Sequence, residues 1–455
     1  MAIQAVSHVG AVSGAGNETL QTQKTEKNKI RFFFLEQAEK QTDAKELAQK
    51  FFDDLNMLGT GSDFETNLKK LNKDNIVEVL GHYKKISAAQ GKEESLIGAI
   101  YNEMWLSRST PKRYVDMVFK QLELKSDELG IDNKVLKEKQ QAELNSLSDS
   151  VKVNFGCGES SKLEFFADEM VKRISIREKL IPANERKFNE SYGNIKSDEY
   201  AYEYVRGIIS THHVSTSDIL GNGKLDNRIK QVNYNCWAIA GLNSFLGNDE
   251  LKEVVNNLIV KKDGIISVYL PVADEVYSFT EKEIVEGTRK AYCIGDGDAV
   301  AVLMAVDKYF KSIGNEDYTD SRLGSLTASK MLEILTGLPA NDKFWRFENL
   351  QPQKLYSTKD MSTYGVSKFV ESIQNGEPYA GVFCFYDGVA AEKVSISDKN
   401  EKPEEMKLRS FHAYTIQTAD ENYVYLKDSN YPNSYLRIPH SSLQYVLDAA
   451  IYKYR

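Results

Sequence analysis

The sequence has few cysteines, no long apolar run and no secretory signal pattern. Its 455 residues include only four cysteines, and no two of them form a CxxC pair. This spacing excludes the usual structural zinc sites and disulfide scaffolds. The longest relevant apolar run, residues 299–306, is far shorter than the roughly 18 residues of a membrane span. The first residues lack the basic-then-apolar pattern of a cleaved signal peptide.

An excess of positive charge is also missing. The chain carries 58 Lys and Arg against 66 Asp and Glu, a net charge of −8. Surfaces that bind nucleic acids or anionic membranes are usually positive, so the charge argues against both as general partners. With 41% hydrophobic and 27% charged residues, the chain can bury a core without a metal or disulfides. We therefore expect no cofactor and no metal.

Composition and hydrophobic pattern divide the chain into three parts. Residues 1–29 are rich in small and polar residues, which predicts disorder. They are either a plain flexible terminus or an uncleaved export signal of the kind that bacterial effectors carry. Residues 30–210 read as a helical domain of unknown role. From about 215 to 455, helices and strands mix, so we expect a second, separately folded domain and an α+β fold class.

The patterns after residue 215 also predict individual elements. The predicted elements are a helix beginning at Cys236, a helix capped by Asp298, a charged loop over Glu392–Met406, a hairpin of Ser410–Thr418 with Tyr423–Asp428, and a helix over Ser441–Ala449.

A candidate nucleophile, base and orienting residue follow one another in this second part. Cys236 lies between a polar loop and an apolar helix, and a helix N-terminus favours the thiolate form of cysteine. His412 lies in an apolar strand signal, and Asp428 ends the next strand. If the two strands pair, Asp428 can hold the His412 imidazole, as the third member of a catalytic triad does. Asn430 is the alternative orienting residue.

Residues 215–455 resemble the catalytic core of calpain-like cysteine proteases, in the papain-like superfamily. The resemblance rests on five features, in chain order: Gln231 through Cys236-Trp237, Gly295–Asp298 opening the helix with Ala305–Tyr309, Leu335-Thr336-Gly337, His412-Ala413-Tyr414 and Leu426-Lys427-Asp428. It implies a helical lobe carrying the cysteine, a sheet-rich lobe carrying the histidine, and a cleft between them. It also implies that Gln231 donates to the oxyanion hole.

Two positions depart from the family pattern. Gln231 precedes Cys236 by five residues instead of six, and Asp428 stands where the family usually has asparagine. Animal calpain cores also bind calcium, but Asp296 and Asp298 are interpreted as a turn and a helix cap. A calcium requirement is therefore not expected.

Three functions are compatible with this sequence. The first is a cysteine endopeptidase that cleaves a protein substrate, either in the cytoplasm or as a bacterial effector acting on a host protein. The second is another acyl transfer on the same fold, such as deamidation, deubiquitination or a transglutaminase-like reaction. The third is a non-catalytic binding protein. The presence of all three triad residue types favours an enzyme.

Overall fold

The computed structural model describes residues 43–56, 61–103, 110–146, 159–188, 195, 198–226, 228–314, 327, 329–341, 353–358, 363–398 and 400–454. The predicted disordered segment 1–29 and Cys157 lie outside these residues. The described chain is a mixture of helix and sheet, which is compatible with the predicted α+β class.

The chain forms two compact units. The first comprises residues 1–125 and 140–168, and the second comprises residues 126–139 and 169–455. The change in sequence pattern predicted that the second domain starts near residue 215. By its internal contacts, the second unit instead takes in the helical residues 169–212 as well.

All regular structure described before residue 213 is helical. Its helices are α1 (residues 43–56), α2 (Gly61–Leu68), α3 (Ile76–Ala89), α4 (Leu96–Glu103), α5 (Thr110–Glu128), α6 (Lys134–Ser146), α7 (Glu159–Phe188) and α8 (Glu199–His212). In the first unit, Phe64 packs between Phe51 and Tyr114, with ring centroids 5.4 and 5.2 Å apart. These tilted rings bury large apolar area, which stabilises the unit.

The second unit adds helices and two sheets. The further helices are α9 (Thr216–Leu220), α10 (Cys236–Leu246), α11 (Asp249–Asn256), α12 (Glu281–Arg289), α13 (Gly297–Ser312), α14 (Lys330–Thr336) and α15 (Thr363–Gln374). The strands are β1 (Ile259–Lys262), β2 (Ile265–Leu270), β3 (Glu275–Thr280), β4 (Ala340–Asn341), β5 (Lys354–Thr358), β6 (Tyr379–Phe385), β7 (Ala390–Ser395), β8 (Glu404–Lys407), β9 (Ala413–Ala419), β10 (Tyr423–Lys427), β11 (Ser434–Pro439) and β12 (Val446–Lys453).

The strands form a small sheet and a large one. The small sheet has the order β1-β2-β3, and the large sheet has the order β4-β5-β12-β6-β9-β10-β11-β7-β8. The predicted hairpin is present, because β9 and β10 pair antiparallel with Leu426 opposite Ile416. One face of the large sheet carries a core of aromatic and aliphatic side chains that includes Phe383, Phe385 and Tyr414.

Helix α10 packs across the other face of the large sheet. It is apolar and buried from Trp237 to Phe245. Two side chains of β9 bond to its backbone: Thr415 Oγ1 donates to Ala240 O at 2.6 Å, and Gln417 Nε2 donates to Asn243 O at 2.7 Å. These two hydrogen bonds, the first of them buried, fix the middle of the helix against the strand.

Two predicted elements and one predicted helix cap are wrong. The expected loop Glu392–Met406 contains most of β7 and part of β8, which pair with each other. The expected helix Ser441–Ala449 is a 3₁₀ turn, His440–Tyr445, followed by strand β12. The cap of α13 is Asp296, which accepts from the backbone N–H groups of Asp298 and Ala299.

Helices α7 and α8 contribute to the core of the second unit. The buried Asn184 on α7 donates to Val260 O at 3.2 Å and to Ser267 Oγ at 2.9 Å, both in the small sheet. Arg173, also on α7, donates to the buried Tyr454 hydroxyl at 3.4 Å. Residues of α8, such as Val205, share a hydrophobic cluster with α9 and α12. These contacts explain why the unit begins before residue 215.

Candidate active site

The candidate nucleophile is the first residue of an apolar helix, as the sequence predicts. Cys236 begins α10, and Asn235 precedes it as the N-cap residue. The Asn235 side chain is buried and donates from Nδ2 to Tyr292 O at 2.6 Å, which fixes the loop that enters the helix. The N–H of Trp237, in the first turn, donates to the Cys236 sulfur. The helix N-terminus therefore supplies a donor to the thiolate.

The candidate base lies beside this thiol. His412 comes directly before β9, one residue outside the strand in which the sequence pattern placed it. Its ring forms a hydrogen bond with the Cys236 side chain, and its Nε2 lies 3.0 Å from Asp428 Oδ1. The Tyr414 ring meets the imidazole edge to face, with centroids 4.7 Å apart. Since Nε2 faces Asp428, the nitrogen that faces Cys236 is Nδ1.

The electrostatics of the pair favour a thiolate and an imidazolium. Burial raises the pKa of the Cys236 thiol, but the hydrogen bond and charge of His412 outweigh it, so the thiol pKa falls below its ordinary value. Burial likewise opposes the charged form of His412. The hydrogen bonds and charges of Asp428 and Cys236 overcome this and raise the imidazole pKa to about 9. Both shifts favour the thiolate–imidazolium form over the neutral pair.

The geometry favours Asp428 over Asn430 as the orienting residue. The Asp428 side chain is 5% exposed, and its Oδ1 accepts from His412. The same oxygen also accepts from the backbone N of Asn430 at 2.9 Å and from its Nδ2 at 3.0 Å. Asn430 Nδ2 lies 3.4 Å from His412 Nε2. With the Nε2 proton directed to Asp428, both of these nitrogens are donors and do not bond to each other. Asn430 thus holds Asp428 in place.

Gln231 lies beside the turn that follows Asp428. Its backbone N donates to Ser429 O at 3.0 Å, and its Oε1 accepts from Ser429 Oγ at 2.8 Å. Its Nε2 donates to Asn233 O at 2.6 Å, which leaves the second hydrogen of the amide uncommitted by that bond. These bonds fix Gln231 in the loop before Cys236, and its role as the oxyanion donor stays a prediction.

Sequence reasoning missed Ser429 as a part of this site. Its hydroxyl turns the Gln231 carboxamide so that the oxygen faces Ser429 and the nitrogen faces the other way. The two residues are 198 positions apart, so no local pattern could connect them. The only available signal was that Ser429 directly follows Asp428.

The other cysteines that the structure describes are less suited to nucleophilic attack. Cys293 is fully buried, and burial raises its thiol pKa well above the ordinary value. For Cys384, burial and then the nearby charges of Asp448 and Cys236 raise the pKa to about 12. A thiol with a raised pKa is a poor nucleophile near neutral pH.

The acidic residues at the start of α13 have structural roles. Asp298 accepts from the backbone N–H groups of Asn222 at 2.7 Å and Gly223 at 3.0 Å, so it fixes the turn after α9. Burial raises the pKa of Asp298 to about 6. Among the described residues, no three His, Cys, Asp or Glu side chains converge as a metal site would require.

Comparison of the chain with models of known protein families, with curated proteins and with solved structures returned no match. None of the helices in the described part of the chain has the length and apolar character of a membrane span.

Proposed function

We propose that the chain is a cysteine protease with a papain-like core, which cleaves a protein substrate through Cys236, His412 and Asp428. The observation that supports this is one connected arrangement. A thiol at a helix N-terminus bonds to an imidazole, and the opposite nitrogen of that imidazole bonds to a buried carboxylate. The lowered thiol pKa and the raised imidazole pKa are those of an activated nucleophile.

In the acylation step, the Cys236 thiolate attacks the carbonyl carbon of the scissile peptide bond. A C–S bond forms, and the carbonyl oxygen takes the negative charge. The N–H of Cys236 and Nε2 of Gln231 are proposed to stabilise this oxyanion. His412 then gives its Nδ1 proton to the leaving amine while the C–N bond breaks.

In the deacylation step, His412 accepts a proton from water as the water oxygen attacks the thioester. The C–S bond breaks, the product acid leaves, and Cys236 returns as a thiolate beside the imidazolium. Asp428 keeps the imidazole in one orientation and stabilises its charged form throughout. Asn430 acts one step further away by fixing the Asp428 carboxylate.

The same three residues would serve another acyl transfer, such as deamidation, because the acyl-enzyme step is shared. The identity of the products separates the reactions. Purified chain is incubated with an unfolded protein such as casein, and the products are sequenced by mass spectrometry. Proteolysis gives new N-termini, whereas deamidation gives converted glutamine or asparagine with no new termini.

Two variants make this experiment specific. Cys236→Ala removes the nucleophile and should abolish product formation while the thermal unfolding transition stays close to that of the wild type. Cys293→Ala removes a fully buried thiol with a raised pKa, which takes no part in the proposed chemistry, and should remain active. Activity that survives in Cys236→Ala refutes the proposed function.

The cellular setting belongs to the same proposal. A bacterial effector would act on a host protein, so wild-type chain and Cys236→Ala are each added to a eukaryotic cell lysate. Host proteins that gain new N-termini with the wild type alone would be the substrates. A lysate without such proteins would argue against action on a host protein.

A further inference from the structure

A second cysteine lies on the sheet face that α10 covers. Cys384 on β6 is paired with Ala413 on the neighbouring strand β9. Phe383 and Phe385, which flank it, belong to the core on one face of the sheet. Because side chains alternate along a strand, Cys384 points to the opposite face.

The packing of α10 brings the nucleophile to the same place. Thr415 on β9 bonds to Ala240 on α10, and Thr415 is paired with Val382 on β6. Ala413 precedes Thr415 by two residues and so lies on the same face of β9. Cys236 precedes Ala240 by about one helical turn and so lies on the same side of α10. The backbone N–H of Ala413 donates to the Cys236 sulfur. Ala413 is therefore in contact with Cys236 and paired with Cys384.

The two cysteines share one neighbour. Directly paired residues in antiparallel strands have Cα atoms about 4.5–5.5 Å apart, so Cys384 lies that close to Ala413, which contacts Cys236. The charge of Cys236 also acts on the Cys384 thiol. A disulfide between them would bring their Cα atoms to about 4.4–6.8 Å. Both side chains are partly accessible and unlinked in this structure.

We propose that Cys384 is a resolving cysteine, which forms a disulfide with Cys236 after a peroxide has oxidised Cys236, so that the site is reversibly closed. The inference goes beyond the proposed function. It needs the reactive Cys236 thiolate but not peptide hydrolysis.

The reaction balances in two steps. The Cys236 thiolate attacks one oxygen of hydrogen peroxide, the O–O bond breaks, and the products after uptake of one proton are a sulfenic acid and water. The Cys384 sulfur then attacks the Cys236 sulfur. An S–S bond forms, the S–O bond breaks, and the thiol proton leaves with the hydroxyl group as a second water. Cys236 and Cys384 are together oxidised by two electrons, and peroxide is reduced.

The two environments give the cysteines different roles. The thiolate character of Cys236 makes it the first to react with peroxide. Cys384 stays protonated because its pKa is about 12, raised by burial and then by the charges of Asp448 and Cys236. Oxidation of Cys236 to the uncharged sulfenic acid removes one of these charges. Cys384 is then more easily deprotonated for the second step.

The test is oxidation of the full chain with a small excess of hydrogen peroxide, followed by alkylation without reduction and peptide mass spectrometry. We expect a linked pair of peptides that contain Cys236 and Cys384, with the loss of two free thiols per chain. Dithiothreitol should restore the reactivity of Cys236 toward iodoacetamide. This readout does not depend on any substrate, so it remains valid if the proposed protease activity fails.

Two variants complete the design. Cys384→Ser should abolish the linked peptide, and peroxide should then carry Cys236 on to sulfinic acid, which dithiothreitol does not reduce. Cys293→Ser should leave the link unchanged. The proposal is overturned if wild-type Cys236 goes directly to sulfinic acid, if it links to Cys157 or Cys293, or if Cys384→Ser keeps full recovery by dithiothreitol.

Discussion

The substitution Asp428→Asn is expected to narrow the pH range in which the chain is active. It keeps the size of the side chain and removes its negative charge. In the wild type, His412 has a pKa of about 9, against an ordinary value of 6.5. This difference corresponds to about 3 kcal/mol in favour of the imidazolium. Asp428 and Cys236 share the contribution and also overcome the opposing effect of burial.

The direction of the change follows from the charge. Without the carboxylate, the His412 pKa falls, so the imidazolium loses its proton at a lower pH. We expect the alkaline limb of the activity profile to move down by about one to two pH units. With a lower His412 pKa, the imidazolium form is less favoured and stabilises the Cys236 thiolate less. The Cys236 pKa should therefore rise, and the acid limb should move up. At pH 8.5 the turnover number should fall about threefold for a shift of one unit and about 25-fold for a shift of two, because the imidazolium fraction drops from about 0.76 to about 0.24 or about 0.03.

Two measurements check the two limbs. The rate of Cys236 alkylation by iodoacetamide as a function of pH gives the acid limb without any substrate. Hydrolysis of labelled casein as a function of pH gives the alkaline limb. Asn430→Ala is the matched control, because it keeps the charge of Asp428 and removes one donor to its carboxylate. Unchanged limbs in Asp428→Asn, or a larger shift in Asn430→Ala, would refute the assignment of Asp428.

Two other substitutions and one truncation test other features of the structure. Ser429→Ala should lower kcat, by up to about tenfold, with KM unchanged, because the Gln231 amide loses the hydroxyl that orients it; an additive effect in the double variant with Gln231→Ala would argue against the contact. Phe411 has φ +54°, in the left-handed region that favours glycine, and is 87% exposed. Phe411→Gly should therefore raise the free energy of unfolding by up to about 1 kcal/mol in urea titrations. A clear loss of stability would contradict this. A chain that begins at residue 215 lacks Asn184 and should melt below the full chain or aggregate; equal melting would show that α7 is dispensable.

Local patterns predicted the parts of the site that depend on neighbouring residues. The polar loop and apolar helix around Cys236 are adjacent in sequence, and so are the two strands that bring His412 to Asp428. The N-cap of α13 was misplaced by two residues, from Asp296 to Asp298, because both residues are aspartates at the same helix start.

The long-range parts of the fold were not predictable in the same way. Strand β7 pairs with β11, about forty residues later in the chain, so its charged sequence resembled a loop. Strand β12 lies between β5 and β6 and is stabilised by pairing on both sides. Its sequence follows a short 3₁₀ turn without a break, which favoured the prediction of a single helix. Such pairings depend on contacts that no short window of sequence contains.

The bond between Thr415 and Ala240 has a consequence for the protein while it is being made. The two residues are 175 positions apart, and His412 lies just before the strand that contains Thr415. At about 5–20 residues per second, a ribosome needs roughly 10–35 s to extend the chain from the helix to this strand. During that time Cys236 has no imidazole beside it and behaves as an ordinary thiol. The nascent chain therefore gains the proposed activated nucleophile only after most of its own backbone has been synthesised, so the proposed cleavage reaction cannot act on the chain itself or on its neighbours during that time.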